Sequence, residues 1–305
     1  MTGPTSVFGD SRPRHFFKYV TAATAKLVLQ NLTLRWSSPL IFDDIYDATV
    51  DWVSFFQVDH PLIDDVLPVV ERLLRSNDPL PAGMPPILRI VLGGARWLLP
   101  ITTMDTVLRS TKARLTAFVD TKRDELLGDN SRWSAVMRGA RIFCVTEVPD
   151  SITMWSLYAD MSRGVMLRLD CTPESPWCSA RRVSYSAGPP VVGTREAWIH
   201  HFLGIEELDL SGIAEAIVFT KSHDWSEQRE WRCWRRGAAL PAGAPLSDLL
   251  PLDPREIGAI HLGARIQSTD REQLVNLVNG PLAHAEVWQA RPRRGAYGVA
   301  YERVR

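Results

Sequence analysis

The sequence predicts an α+β protein. Short segments of strand-like composition lie at both ends of the chain, several of them with alternating apolar residues. Between them, residues 51–139 carry the apolar spacing of helices. The 305 residues suffice for one large domain or for one domain with an insertion. We therefore expect a single mixed α+β domain, 1–305, with a helical insertion or lid at 51–139.

The N-terminal segments predict two strands separated by a helix. HFFKYV (15–20) has the composition of a short strand, and TAATAKLVLQ (21–30) places apolar residues at helical spacing after a threonine. NLTLRWSSP (31–39) alternates leucine and tryptophan before Ser-Ser-Pro, which indicates a strand that ends in a loop. FDDIYDATV (42–50) follows as an acidic turn.

The predicted insertion contains two amphipathic helical patterns. DHPLIDDVLPVVERLLRS (59–76) and MDTVLRSTKARLTAFVDTKRDELLGD (104–129) flank the Pro/Gly-rich stretch NDPLPAGMPP (77–86). ILRIVLGGARWLLP (87–100) predicts a buried helix or helix pair. Two arginines interrupt it and it is shorter than the roughly 20 residues of a membrane span, so we expect no membrane association.

Strand and helix patterns alternate in the second half of the chain. DSITMWSLYADMS (150–162) predicts an amphipathic helix with Asp150 or Ser151 as its N-cap. Further helices are predicted at 195–216 and 268–280, and strands at 141–148, 165–171, 181–186, 215–222, 230–236, 256–266 and in the C-terminal tail.

Charge and cysteine content limit the classes of partner. Lys+Arg and Asp+Glu both number 35, so there is no global basic field to recruit nucleic acid. The four cysteines form no CxxC pair and have no matching zinc-ligand set, so we expect no metal site and a reduced, cytoplasmic protein. The first fourteen residues have no apolar core, which predicts no secretory signal.

The segment SHDWSEQREWRCWRR (222–236) combines three tryptophans with many charges. On a strand, Gln228, Glu230 and Arg232 would share one face, with neighbouring same-face residues roughly 7 Å apart. In that arrangement a carboxylate can bind a hydroxyl while the amide orients a second reactant. The alternative is a structural ion pair between Glu230 and an arginine.

Other candidate residues also allow two interpretations. Trp155 and Tyr158 are neighbours on one helix face. They are either core residues or the wall of a pocket for a flat ring. Lys18 and Tyr19 are adjacent on a predicted strand. Either the lysine extends to solvent beside a tyrosine of the core, or both residues contact a ligand. The hydroxyl of Thr146 either pairs across the sheet or binds a ligand.

Several separated motifs together resemble a bacterial family known as domain of unknown function 2971. These are FFKYV, ATAKLVLQNLTLRWSSPLIFDDIYD, FCVTE, SITMWSLYADMSRGVMLRLD, a lysine, a tryptophan, EQREWR and IHLGARI, in that order between about residues 15 and 265. Thr146 stands where that family typically has serine, and Gln228 where it has glutamate.

The order of elements is also similar to the ADP-ribosyltransferase fold. That resemblance implies a split mixed/antiparallel sheet and NAD as the substrate. In that fold a first-strand Arg or His holds the NAD, and Lys18 stands at this place, with Tyr19 or His15 as the alternative for the same work. The resemblance further implies Thr146 as a hydroxyl support, Tyr158 for stacking on the nicotinamide ring, and Gln228 with Glu230 for the chemistry. Beyond the resemblance, Trp155 is a second candidate for the pocket wall, and Arg229 or Arg232 is a candidate for the pyrophosphate.

The function implied is that of an NAD-dependent ADP-ribosyltransferase, or an NAD glycohydrolase, of a bacterial toxin or antiphage defence type. One alternative is a non-catalytic domain that senses a nucleotide or binds a partner. Another is a metal-dependent hydrolase or nuclease that uses Glu147, Glu227 and Glu230. The sequence carries no signal for oligomeric state or for the macromolecule that would be modified.

Overall fold

The α+β class is confirmed in a computed structural model of the chain. The structure describes residues 12–48, 61–76, 78–128, 130–190 and 193–305. Predicted features at 1–11 and 49–60 lie outside these residues. Within the described part, ten strands form one mixed, mostly antiparallel sheet and two more form a small parallel pair.

The elements alternate along the chain. The strands are β1 (His15–Val20), β2 (Thr33–Ser37), β3 (Arg141–Thr146), β4 (Val165–Asp170), β5 (Arg181–Arg182), β6 (Ser184–Ser186), β7 (Thr220–Ser222), β8 (Glu230–Arg235), β9 (Ser247–Pro251), β10 (Ile257–Leu262), β11 (Glu286–Pro292) and β12 (Val299–Arg303). The α-helices are α1 (Ala22–Asn31), α2 (Leu62–Arg75), α3 (Pro86–Leu98), α4 (Met104–Gly128), α5 (Asn130–Gly139), α6 (Ile152–Leu157), α7 (Arg195–Phe202), α8 (Leu210–Val218) and α9 (Ser268–Leu277).

The large sheet divides at β3. Its strands run in the order β12, β11, β10, β4, β1, β3, β2, β9, while β8 also pairs with β3, and β5 with β8. β8 pairs with β3 along its whole length, from Arg141 to Thr146. On the other edge, β1 meets β3 at Thr146 and β2 meets it at Ile142. β1 and β2 therefore occupy opposite ends of one edge of β3.

One face of this sheet packs against α1 and α9. The hydroxyl of Thr21 caps α1 by accepting from the backbone N–H of Thr24, as the sequence pattern predicts. The helix buries its apolar residues in a core that contains Phe16, Phe143 and Trp231 from the sheet. Burial of this apolar surface is the main source of stability for the sheet.

The opposite face carries an aromatic cluster. Phe17 and Tyr19 of β1 lie there because strand residues alternate between faces. The ring of Tyr19 contacts Trp155 of α6 edge to face, with centroids 5.2 Å apart. Trp155 is only 1% exposed, so it anchors α6 on the sheet.

The chain divides into two compact units. The first comprises 1–47, 135–187 and 219–305, and the second comprises 48–134 and 188–218. The described part of the second unit is helical, as predicted for the insertion, and its core joins residues of α2, α3, α4, α7 and α8. The role of the insertion as a lid stays a prediction.

Two strand predictions differ from the structure, and one strand is not predicted by the sequence. Residues 215–218, predicted as the start of a strand, belong to α8, because Ile213 and Ile217 share a buried helix face. The segment 181–186 is broken into β5 and β6, which pair in different sheets. β9 is absent from the sequence interpretation, since this edge strand is largely exposed and has no buried alternation.

Among the described residues, the helices are either too short or too polar to cross a membrane.

The start of β4 leaves no room for a side chain at Gly164. A Cβ atom there would lie 2.2 Å from the carbonyl oxygen of Val20. The carbonyl oxygen of Val20 is a backbone atom at the end of β1, so the clash can be relieved only if β1 or β4 moves. We expect Gly164→Ala to lower the free energy of unfolding by about 2 kcal/mol or more, measured by urea unfolding with circular dichroism.

Gly93→Ala is the matched control, because a Cβ at this position in α3 would meet nothing within 4 Å. Its higher helix propensity should stabilise the protein by up to about 1 kcal/mol. Equal unfolding midpoints for the two variants would contradict the packing argument.

His261 makes the stability of the sheet depend on pH. Its ring stacks on Trp288 and meets Tyr301 edge to face, while Nδ1 faces the carbonyl oxygen of Met166 at 3.3 Å. Burial lowers the pKa of His261 to about 4. Between about pH 6.5 and 4 the unfolded chain therefore binds the proton more readily, and we expect stability to fall as the pH falls through this range.

The test compares wild type and His261→Gln by urea unfolding at pH 7 and pH 4.5. The variant should lose about 2 kcal/mol less stability than wild type over that interval. A pH dependence identical in both proteins would show that another group titrates.

Candidate functional site

A cavity of about 350 Å³ opens on the sheet within the first unit. It lies where β1 and β2 meet opposite ends of β3, and it is bordered by β3, the loop after β2, α6 and the segment from β7 to β8. Its volume is within the usual range for small-molecule sites.

Four buried charges form one cluster beside the cavity, and three of them, Asp47, Lys221 and Glu230, border it. Arg232 donates through Nε to Glu230 at 2.6 Å and through Nη2 to both carboxylate oxygens of Asp47 at 2.8 and 2.7 Å. Lys221 Nζ lies 2.9 Å from Glu230 and 3.3 Å from Asp47. We call these residues the four-charge cluster. Its two acids and two bases balance in formal charge.

Glu230 and Lys221 of the four-charge cluster are ionised at neutral pH. Burial alone would raise the pKa of Glu230, but the charges of Arg232 and Lys221 outweigh it and hold the pKa well below its usual range. Burial would lower the pKa of Lys221, but Glu230 and Asp47 outweigh it and raise the pKa. The carboxylate of Glu230 is therefore an acceptor at physiological pH.

Gln228 links the four-charge cluster to Tyr158. Its side-chain oxygen accepts from Lys221 Nζ at 2.9 Å, and its Nε2 donates to the Tyr158 hydroxyl at 2.9 Å. Thr146 donates through Oγ1 to the backbone carbonyl of Gln228 at 2.6 Å. Burial raises the pKa of Tyr158, so the phenol stays protonated and its hydroxyl can donate to a ligand.

Gln228 is not on the strand that carries Glu230, which makes the prediction of a shared strand face wrong. Residues His223–Gln228 form a short 3₁₀ helix whose start is capped by Ser222. Arg229 then adopts a left-handed conformation with φ 42°, and β8 begins at Glu230. Lys221 nevertheless bonds both side chains and brings them together.

Six of the eight sequence-predicted site residues border the cavity: Lys18, Tyr19, Thr146, Tyr158, Gln228 and Glu230. The hydroxyl of Tyr19, however, donates to the carbonyl oxygen of Val148 at 3.0 Å. The side chain of Glu230 is 7% exposed.

Lys18, Trp155 and Arg232, like Tyr19, are held by structural partners. Lys18 borders the cavity, but its ammonium bonds the carbonyl oxygen of Cys144 at 2.7 Å and lies 5.1 Å from the ring centroid of Phe143 in the core. Trp155 is buried and donates to the Tyr301 hydroxyl at 3.2 Å. Arg232 is fully buried in the four-charge cluster, with an exposed side-chain fraction of 0%.

Sequence reasoning missed Asp47, Lys221 and Trp225, all of which border the cavity. A signal was present, because the acidic turn and a lysine and a tryptophan before EQREWR belong to the ordered motifs quoted above. No periodicity indicates that these residues meet, since Asp47 and Lys221 are far apart in sequence.

The carboxylates proposed for a metal-dependent hydrolase do not assemble. Glu147 pairs with Arg182 and accepts from Trp231 Nε1 at 2.9 Å, while Glu227 is exposed. In the part of the chain that the structure describes, no group of three or more His, Cys, Asp or Glu side chains is placed to hold a metal ion.

Comparisons of the chain with protein-family models, with curated proteins and with solved structures find no match.

Arg232→Met tests whether the four-charge cluster supports the fold. The substitution leaves two buried carboxylates with only Lys221 as a counterion, so we expect a loss of about 3–5 kcal/mol at pH 7 by urea unfolding. Protonation relieves unpaired carboxylates, so the difference from wild type should shrink at pH 4.

Arg265→Ala is the control, because Arg265 is exposed and lies away from the cavity. Its unfolding free energy should stay within about 0.5 kcal/mol of wild type. A loss for Arg232→Met below about 1 kcal/mol would contradict a supporting role for the four-charge cluster.

Proposed function

We propose that the chain is an NAD-dependent ADP-ribosyltransferase, or an NAD glycohydrolase using the same site, of a bacterial toxin or antiphage defence type. The observation that carries this proposal is the meeting of Tyr158, Gln228 and Glu230 at one cavity, with Thr146 beside them. These residues are the ring-stacking, catalytic and hydroxyl-support positions that the ADP-ribosyltransferase resemblance implies. The resemblance of the motifs quoted above to family 2971 is part of the same proposal.

The pairing of the strands supports this proposal. Phe17 of β1 is the register partner of Thr146 of β3, and Thr146 is the partner of Glu230 of β8. The three residues form one row across three neighbouring strands. The first strand, the Ser/Thr strand and the late Glu strand of the implied fold would meet in the same way. The division of the sheet at β3 agrees with the split sheet that the resemblance implies.

The reaction breaks the bond between nicotinamide N1 and ribose C1′. Nicotinamide leaves with the bonding electron pair, and the ribose carbon develops oxocarbenium character, as in glycoside hydrolysis. Water or a nucleophile of the acceptor then bonds C1′ and loses a proton. Water as the acceptor gives ADP-ribose, and a macromolecule gives the ADP-ribosylated product.

Glu230 is suited to stabilise the developing positive charge. Its carboxylate is ionised, and each oxygen already accepts one hydrogen bond, from Arg232 and from Lys221. A carboxylate has about four acceptor positions, so a ribose hydroxyl can bond a remaining one. The bond strengthens as positive charge grows on the sugar. Gln228 would orient the incoming nucleophile.

The cavity wall provides surfaces for the nicotinamide ring. Aromatic rings of Phe42, Tyr158 and Trp225 border it, from the loop after β2, from α6 and from the 3₁₀ helix. Aromatic walls with a few polar groups are typical of sites for flat ligands. The Tyr158 hydroxyl can donate to the carboxamide of nicotinamide, because its own oxygen accepts from Gln228.

A non-catalytic nucleotide-sensing or partner-binding domain is the alternative. It is favoured by the ion pairs of Glu230, whose side chain is 93% removed from solvent and bonded to two cations. In that case the carboxylate would serve the fold, and the cavity would bind a nucleotide without turnover.

Release of nicotinamide tests the proposal. Wild-type protein is incubated with NAD, with and without a metal chelator, and free nicotinamide is measured by chromatography. We expect chelator-independent release, and a loss of about 100-fold or more in Glu230→Gln, because the variant lacks the negative charge that stabilises the oxocarbenium ion. Tyr158→Phe, which keeps the ring, should lose activity to a smaller extent.

Glu302→Gln is the matched control, because Glu302 is an exposed residue of β12 that pairs with Arg291. It should release nicotinamide at the wild-type rate. Circular dichroism establishes whether Glu230→Gln is folded, and Tyr158→Phe carries the test if it is not. Full activity in both variants, if both are folded, would contradict the site assignment. If the wild-type protein releases no nicotinamide, the binding alternative is favoured.

A further inference from the structure

One cationic side chain at the cavity has no ion-pair or hydrogen-bond partner among the described residues. Arg35 of β2 is exposed and borders the cavity. Across the described residues, its guanidinium makes neither a hydrogen bond nor an ion pair. The other cations bordering the cavity are committed, Lys221 to Glu230 and Asp47, and Lys18 to the Cys144 carbonyl.

The position of Arg35 follows from the alternation of β2. Leu34 and Trp36 are 4% and 2% exposed and belong to the core on one face of the sheet. Arg35 and Ser37 therefore point to the opposite face, where the cavity lies. The backbone on both sides of Arg35 pairs with β9, and this pairing fixes the position of the Arg35 Cα atom.

A second polar group of the cavity also lacks a protein partner. Asp44 borders the cavity, and its Oδ1 accepts from the backbone N–H of Tyr46 at 2.9 Å. Its Oδ2 is buried, and no donor from the described residues reaches it. A buried acceptor of this kind is satisfied when a ligand supplies an O–H or N–H group.

Arg35 and Asp44 together define the chemistry of a ligand. The ligand must present an anion to the guanidinium and a hydrogen-bond donor to the carboxylate. A ribose linked to a pyrophosphate offers both, and the planar guanidinium matches two phosphate oxygens at once. A ligand with an anionic group alone would leave Asp44 Oδ2 unsatisfied.

We propose that Arg35 is the pyrophosphate-binding residue of this cavity, with Asp44 accepting a hydrogen bond from the attached sugar. The inference rests on the proposed function for the identity of the dinucleotide. It differs from the sequence interpretation, which assigns the dinucleotide to Lys18 of the first strand and the pyrophosphate to Arg229 or Arg232. Here the basic residue of β1, Lys18, is held on the core side, and β2 supplies the cation instead.

Equilibrium binding of ADP-ribose and of adenosine, measured by calorimetry, tests the role of Arg35. Adenosine has the sugar and base without phosphate, so it separates phosphate recognition from the rest. We expect Arg35→Ala to weaken ADP-ribose binding about 10-fold to 100-fold, because a charge-assisted contact is lost. Arg35→Lys should fall between the two, since it keeps the charge but loses the fork geometry. Adenosine binding should be the same in all three proteins.

Arg265→Ala is the control for net charge, because it removes one exposed arginine away from the cavity. It should bind ADP-ribose as wild type does. Unchanged ADP-ribose binding in Arg35→Ala, or its absence in wild type, overturns the inference. An equal loss in Arg35→Ala and Arg265→Ala also overturns it, because the effect would then be one of net charge.

The two proposals fail separately in this design. Arg35-dependent binding of ADP-ribose without release of nicotinamide from NAD would sustain the phosphate contact and remove the proposed reaction. Release of nicotinamide together with normal ADP-ribose binding in Arg35→Ala would sustain the reaction and remove the phosphate contact.

Discussion

The first unit depends on a buried charge balance. Asp47, Lys221, Glu230 and Arg232 come from the loop after β2, from β7 and from β8, and their side chains are at most 7% exposed. Each charge is tolerated in the interior because the two opposite charges of the cluster offset it. The arrangement therefore holds three segments in one relative position, and it holds Glu230 ionised beside the cavity.

The cavity exists because the sheet divides at β3. With β8 on one edge, β1 and β2 share the other edge at opposite ends, at Thr146 and Ile142. A continuous sheet would fill this space with backbone pairing. The division instead leaves polar groups of several strands facing one opening. This shared rim explains why the proposed chemistry and the proposed phosphate contact come from different strands.

The charges of the site fall into two groups with different consequences. The buried group is neutral as a whole and supports the fold, so its members are sensitive to substitution even where they do not contact a ligand. The second group, Arg35 and Asp44, borders the cavity: Arg35 is exposed, and the buried Oδ2 of Asp44 meets no donor from the described residues. Variants of the second group therefore report on binding more cleanly than variants of the first, since Glu230 belongs to the buried cluster as well as to the proposed reaction.

The sequence by itself determined the α+β class, most strands and helices, and the helical character of the described part of 51–139, because apolar periodicity is a local property. It also identified Tyr158, Gln228 and Glu230, whose residue types stand out from the ordinary pattern. Only the tertiary structure decided that Lys18 bonds a carbonyl on the core side, that Gln228 precedes β8, and that Asp47 meets Lys221. These contacts depend on strand order and on charges distant in sequence, which no local pattern encodes.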